Sequence, residues 1–142
     1  MLLYHTHVEP LTSMYRRQII DFIEMCNSKF NMSTSRLMKN DVVVLMQRNS
    51  KIIGLCLLRY EIPENDGFDW EAPYWLITVL CVHPSERRRG KASEILDYVT
   101  QEICKNNTEC RVELDSKFIC GSEENFFLKD FFKLRKIHPI IK

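Results

Sequence analysis

Apolar residues along this chain recur with two periods, and the switches between them predict the order of elements. "LLYHTHV", from Leu2 to Val8, alternates loosely as a strand does and is ended by Glu9 and Pro10. From Leu11 to Phe30 the apolar positions 15, 19, 22, 23, 26 and 30 share one helical face, with Thr12 or Ser13 as N-cap. "STSRLMKN" brings capping residues and few apolar ones, so a short second helix and an ordered loop fit it equally well. "DVVVLMQRNSKIIGLCLLRYEI" sets apolar, β-branched runs on both sides of Asn49 and Ser50, the pattern of a tight hairpin.

"PENDGFDWEAP" lies between Pro63 and Pro73 and carries Glu64, Asp66, Asp69 and Glu71, which predicts a long, turn-rich loop. "YWLITVLCV" is the most apolar strand, expected to be central and buried on both faces, and it stops at His83 and Pro84. Apolar positions 92, 95, 96, 99 and 103 predict a helix over 91–104 whose core face begins directly after Gly90, and "CRVELD" follows as a fifth strand. Strand, helix, strand makes a βαβ unit with parallel strands and a right-handed crossover. "SEENFFLKDFFKLR" has Ser122 as cap, acidic residues in its first turn and basic ones in its last, matching the helix dipole. "KIHPII" closes the series as a strand. The order β, α, α, β, β, β, α, β, α, β predicts an α/β (α+β) domain with a mixed sheet.

At 142 residues the chain suits one domain, 1–142, with a core of its own. No apolar run approaches the ~20 residues of a membrane span, and "MLLYHTHVEP" lacks the marks of a secretory signal, so a cytoplasmic protein is expected, with the nucleus left open. The six cysteines, Cys26, Cys56, Cys81, Cys104, Cys110 and Cys120, stand in apolar patterns without a CxxC pair, as reduced core thiols do. His5 and His7 alternate on the first strand, but no second ligand pair stands at metal spacing, and no metal is expected. A net charge of +1 argues against a nucleic-acid binder; only the knot "RRRGK" keeps that reading open.

That knot is the sharpest feature of the chain. A strand stopping at Pro84 and a helix opening at Gly90 leave the helix's first backbone N–H groups without internal partners. With the positive end of the helix dipole they form an anion site, and Gly90 and Ala92 are small enough for a diphosphate to reach the backbone. Arg87, Arg88, Arg89 and Lys91 add charge around it. Neither the Walker string GxxxxGK[ST] nor the dinucleotide string GxGxxG occurs.

Val82, His83 and Pro84, followed by Arg87, Gly90 and Ala92, resemble the [RQ]xxGx[GA] signature of the GCN5-related N-acetyltransferase (GNAT) family, set after a strand ending in a Val-x-Pro turn. The element order on both sides matches that family's fold along nearly the whole chain. The resemblance implies a mostly antiparallel sheet of about six strands, a parallel, splayed β4/β5 pair and about four helices. It implies acetyl-CoA as co-substrate, its pyrophosphate on the amides of Arg88, Arg89, Gly90, Lys91 and Ala92, with Ser93 and Asn125 also near the cofactor. The pantetheine arm would run beside Leu80, Cys81 and Val82, and one N–H, of Leu80 or Cys81, would serve as oxyanion donor.

The family's usual acid and base are not matched. Leu76 stands where many relatives carry a glutamate base, and Phe132 where they carry a tyrosine, seven residues after Asn125. Glu71 lies nine residues before Leu80, roughly 30 Å along an extended strand, which is too far. Glu113, Asp115 and His138 are nearer candidates. Without a base, a lysine amine, about 0.1% neutral near pH 7.4, is a poor acceptor beside an α-amine of pKa about 7.7 to 8.0. The acceptor is expected to be a small molecule or a protein amine, and the acidic loop beside Trp70 and Trp75 suits a cationic one. The resemblance also implies a seventh strand walling the acceptor groove; the sequence given has six, leaving that wall to a partner in a homodimer or the groove open. The leading reading is direct attack of an amine on acetyl-CoA in a ternary complex. The alternative is a catalytically impaired acyl-CoA-binding or protein-interaction module on the same fold.

Overall fold

The computed structural model describes residues 1–27, 31–65, 67, 70–106, 108–113, 132–133 and 135–140. Strand β1 (Leu2–His7) leads into helix α1 (Ser13–Cys26), where the Thr12 hydroxyl accepts the Tyr15 N–H at 3.2 Å and so settles the cap. Ser33 caps the short helix α2 (Thr34–Leu37) in the same way. Strands β2 (Val42–Arg48) and β3 (Lys51–Glu61) form the expected hairpin, with Asn49 and Ser50 both left-handed, φ 52° and 65°, as a two-residue turn that matches strand twist requires. Strand β4 (Tyr74–Val82) is joined through a 3₁₀ turn, Pro84–Glu86, to helix α3 (Lys91–Tyr98), which widens into a π-helical turn over Val99–Ile103. Strands β5 (Glu109–Glu113) and β6 (Ile137–Ile140) complete the set.

The strands lie in the order β1-β2-β3-β4-β5-β6. The first four are antiparallel and β4/β5 is parallel, as the crossover through α3 demands. A second parallel pair, β5/β6, running from Cys110↔Ile137 to Glu113↔Ile140, was not foreseen. Its cause is again a connection that returns the chain to the same end of the sheet. The helix read over 122–135 falls on that connection and lies almost wholly outside the described residues, where only Phe132 and Lys133 are helical. No helix among the described residues is long and apolar enough to cross a membrane.

Each face of the sheet carries its own core. Ile19, Ile20 and Ile23 of α1 and Leu37 of α2 pack against Val43, Leu45, Leu55, Leu57, Val79 and Cys81. Ile95, Leu96 and Val99 pack on the other face against Val44, Met46, Cys56, Leu58, Ile77, Leu80 and Val82. Strand β4 feeds both clusters, which explains its unbroken apolar run. At Thr78 the β3/β4 register slips, Leu57 facing Val79 while Leu58 faces Ile77. The Thr78 hydroxyl donates to buried Asn40 Oδ1 at 2.5 Å, and Asn40 Nδ2 donates to the Leu37 carbonyl at 3.3 Å, tying the bulge to the end of α2.

Arg111 clasps the opening of the parallel strands. It reaches Glu71 at 2.5 Å and Glu109 at 3.1 Å, and it lies 3.9 Å over the Tyr74 ring. Its hydrogen bonds to Glu109 hold that carboxyl below its ordinary range, and the same bonds raise the guanidinium further.

Gly54 lets α3 approach closely: a Cβ there would lie 2.8 Å from Ile95 Cδ1. Gly54→Val should therefore lower stability by about 1–3 kcal/mol in urea unfolding, and Gly54→Ala much less, because only one methyl tip must give way. A fully stable Gly54→Val protein would show that α3 is not held at that distance. The Arg111 clasp carries a pH signature. A carboxyl depressed below 4.5 in the folded chain stabilises above that pH and stops doing so as pH falls through the folded value. The stability gap between the wild type and Arg111→Met should accordingly hold from neutrality to about pH 4.5 and shrink below it. A gap unchanged at pH 3 would detach Glu109 from Arg111.

Candidate functional site

The site is built along the part of β4 that has no partner on the β5 side among the described residues. Its described pairing with β5 runs from Tyr74↔Glu109 to Ile77↔Val112, β5 ends one residue later at Glu113, and β4 continues to Val82. Main-chain groups of an antiparallel strand alternate sides. The His83 N–H donates to the Ile53 carbonyl at 2.8 Å, so Cys81, two residues earlier, turns its N–H to β3 as well. Leu80 and Val82 then turn theirs the other way, into the wedge beyond the last β4/β5 pair. The Val82 carbonyl on that side accepts Arg87 Nε at 3.1 Å and the Cys26 thiol at 3.7 Å. The Leu80 N–H turns to that same side, where no strand pairs with β4 beyond Ile77 among the described residues.

Beyond β4 the chain turns tightly. His83 Nδ1 accepts the Ser85 N–H at 3.1 Å, and Arg88 and Gly90 take left-handed φ values of 63° and 75°. Gly90 is the N-cap of α3 and offers no side chain, and the first internal bond of the helix runs from the Glu94 N–H to the Gly90 carbonyl at 3.0 Å. The N–H groups of Lys91, Ala92 and Ser93 therefore precede the helical ladder and point forward from the helix end. A Cβ on Gly90 would meet nothing within 4 Å, so there is open space beside the helix start at Gly90. That is the cradle a diphosphate needs.

The basic side chains divide their duties. Arg88 and Arg89 are exposed at the mouth of the turn. Arg87 points inward, adding a 3.3 Å bond from Nη2 to the Cys26 carbonyl, and so braces the turn against α1. Lys91 Nζ stands 3.7 Å from Glu94 Oε2. The Ser93 hydroxyl accepts Arg135 Nη2 at 2.7 Å, and Arg135 Nε is 3.7 Å from Asp97. Arg135 and the Arg48–Glu86 pair behind the turn were not read from the sequence, since nothing local marks contacts made across tens of residues.

The candidate proton carriers are scattered. Leu76 is buried in β4, and Phe132 is fully buried in the α3 core. Glu71 is held by Arg111, whose backbone pairs with Leu76 rather than with the wedge. His138 pairs in register with Arg111, one strand further out; its Nε2 is 3.8 Å from Glu109 Oε1, and β6 lies roughly 10 Å from β4 across the sheet. Glu113 ends β5 one step past the last β4 pair. Asp115 and Asn125 lie outside the described residues. The acids expected to draw a cation are partly engaged, Glu61 with Arg59 and Glu71 with Arg111. Burial pushes the Cys56 thiol up, and a hydrogen bond with Cys104, then burial, does the same at Cys110, so neither is a thiolate nucleophile at neutral pH. Among the described residues no group of three His, Cys, Asp or Glu is placed to hold a metal ion.

The comparisons with known proteins fall on the same architecture. The profile of the acetyltransferase (GNAT) family matches residues 7–133. An aminoglycoside acetyltransferase from an uncultured soil metagenomic sample, solved in complex with sisomicin, superposes with a TM-score of 0.63 at 19% identity, over 95% of this chain and 86% of that one. An acetyltransferase from Vibrio fischeri gives 0.62 at 12% identity, over 84% and 96% of the two chains. The aminoglycoside N-acetyltransferase AAC(6')-Iy in complex with CoA gives 0.56 at 15%, over 94% and 89%. No protein of curated function matches the sequence. A profile spanning most of the chain, on a sheet that opens between β4 and β5 above a left-handed glycine turn, places this protein in the GNAT acetyltransferase family.

Proposed function

We propose that the protein transfers an acetyl group from acetyl-CoA to an amine by direct attack in a ternary complex. The observation that carries this reading is the pairing of two donor sets along one path: the open N–H groups at the start of α3 and the Leu80 N–H in the wedge. Acetyl-CoA, when bound, supplies the activated thioester. The backbone amides of Arg88 to Ala92 would hold its diphosphate, with Arg88, Arg89 and Lys91 adding charge and Ser93 closing the first turn. Residues 80–82 would align the pantetheine arm. The parity of β4 supports Leu80, rather than Cys81, as the donor toward the carbonyl oxygen that gains charge when an amine attacks.

The positions where many relatives carry a base and an acid hold Leu76 and Phe132 in this chain, and that bears on the acceptor. Leu76 and Phe132 are apolar and buried, so neither position moves a proton. An amine that must first shed a proton of pKa 10.4 carries about 4 kcal/mol of added barrier near pH 7.4, whereas an α-amine or other amine of low pKa carries under about 1. If no other side chain, Glu113 and Asp115 included, serves as base, low-pKa amines are the favoured acceptors. The aminoglycoside acetyltransferases among the structural neighbours support a small-molecule amine alongside a peptide α-amine. The same missing groups favour the second reading, a module that binds acyl-CoA without turning it over.

Release of CoA from acetyl-CoA, followed over a library of amines, separates the two readings: turnover with any amine supports transfer, and binding without turnover supports the module. In a direct comparison at pH 7.4, an α-amine peptide should react on the order of 100-fold faster than a lysine peptide, with the gap closing as pH approaches 10. A clear lysine preference at neutral pH would overturn the low-pKa acceptor. Gly90→Val should fold, at a cost of about 1–2 kcal/mol for a left-handed valine. Calorimetry should show its CoA affinity reduced about tenfold or more. Unchanged affinity would move the diphosphate elsewhere.

A further inference from the structure

Behind the anion seat lies a negative charge. Glu86, four residues before Gly90, is 7% exposed, and with Asn40 it makes up the buried polar residues among those described. Its N–H bonds the His83 carbonyl at 2.9 Å, which fixes it in the 3₁₀ turn. One carboxylate oxygen takes the guanidinium of Arg48, the last residue of β2, beside the left-handed hairpin turn. The other oxygen, Oε2, is buried without a hydrogen-bond partner among the described residues, and Arg89 Nη1 stands 4.0 Å from it. A buried carboxylate at the base of a turn that has to receive a diphosphate repels it, and burial weakens the screening that water would provide.

We infer that Arg48 is a positioning residue for the anion seat: reaching in from β2, it cancels the Glu86 charge and holds the turn that presents the α3 amides. The inference rests on the CoA-binding reading above. Arg48 touches neither cofactor nor acceptor; it acts through Glu86. Half-exposed itself, Arg48 loses little solvation by making this pair, while Glu86 without it is a buried anion left with only the exposed Arg89, 4.0 Å away, as counter-charge. Arg89, on the solvent side of the same carboxylate, is left able to turn toward a phosphate while Arg48 keeps Glu86 neutralised.

The test is a charge cycle read by calorimetric titration of the full chain with CoA. Arg48→Met should weaken CoA binding about tenfold or more, since the carboxylate then faces only Arg89, which is drawn to it and away from the phosphate. Arg48→Met/Glu86→Gln should recover to within about threefold of wild type, because the charge is gone along with its partner. Glu86→Gln alone should bind CoA at least as tightly as wild type, its amide oxygen still accepting Arg48. Equal binding by Arg48→Met and wild type overturns the inference alone. A double variant as weak as Arg48→Met also overturns it, because the loss then stems from missing packing and not from charge. Should Arg48→Met fail to fold, Glu86→Gln decides: weaker binding than wild type contradicts the role given to the carboxylate's charge. A wild-type chain that does not bind CoA removes the functional reading and this inference together.

Discussion

A helix cannot pair its own first amides, and among the described residues no side chain caps those of α3. Gly90 caps the helix with a left-handed backbone and no side chain, so no hydroxyl or carboxylate takes the donors that most helix starts give away. The constraint reaches backward as well. Gly90 takes φ 75° without strain, but a turn holding Arg88 at φ 63° persists only when its surroundings determine it. Here Arg87 ties it to Val82 and Cys26, and Glu86 ties it to Arg48. The turn is thereby anchored to β4, to α1 and to the β2/β3 hairpin at once.

Strand β4 connects that turn to the rest of the fold. Buried on both faces, it is held by two cores and by β3 along its whole length, but by β5 over only its first half among the described residues. Rigidity on one side and an open edge on the other are what an extended ligand needs in order to lie alongside a strand. The bulge at Thr78 sits where the two halves meet, pinned through Asn40 to α2. A slip there would exchange the sides to which Leu80 and Cys81 turn their N–H groups.

Much of this was legible in the sequence because it rests on local rules. The Asn49–Ser50 hairpin, a cap at Thr12 or Ser13, the doubly buried run from Tyr74 to Val82 and the crossover through α3 each follow from period, turn chemistry or chain direction. The second parallel pair, β5/β6, follows from the same directional rule but was not drawn from it. Contacts between distant residues were beyond such reading. Nothing near Arg48 announces a buried partner at Glu86, nothing near Arg135 points to Ser93, and the choice between Leu80 and Cys81 needed the ladder bond at His83. The family signature pointed to the turn at Gly90, and the usual acid and base positions hold Phe132 and Leu76.

The central claim is that the first amides of α3 grip a diphosphate. A crystal structure of the protein saturated with CoA tests it most directly. The account predicts diphosphate oxygens within hydrogen-bond distance of main-chain nitrogens between Arg88 and Ala92, with the pantetheine arm running along residues 80–82. Diphosphate density seated elsewhere, or none at saturating ligand, would contradict it.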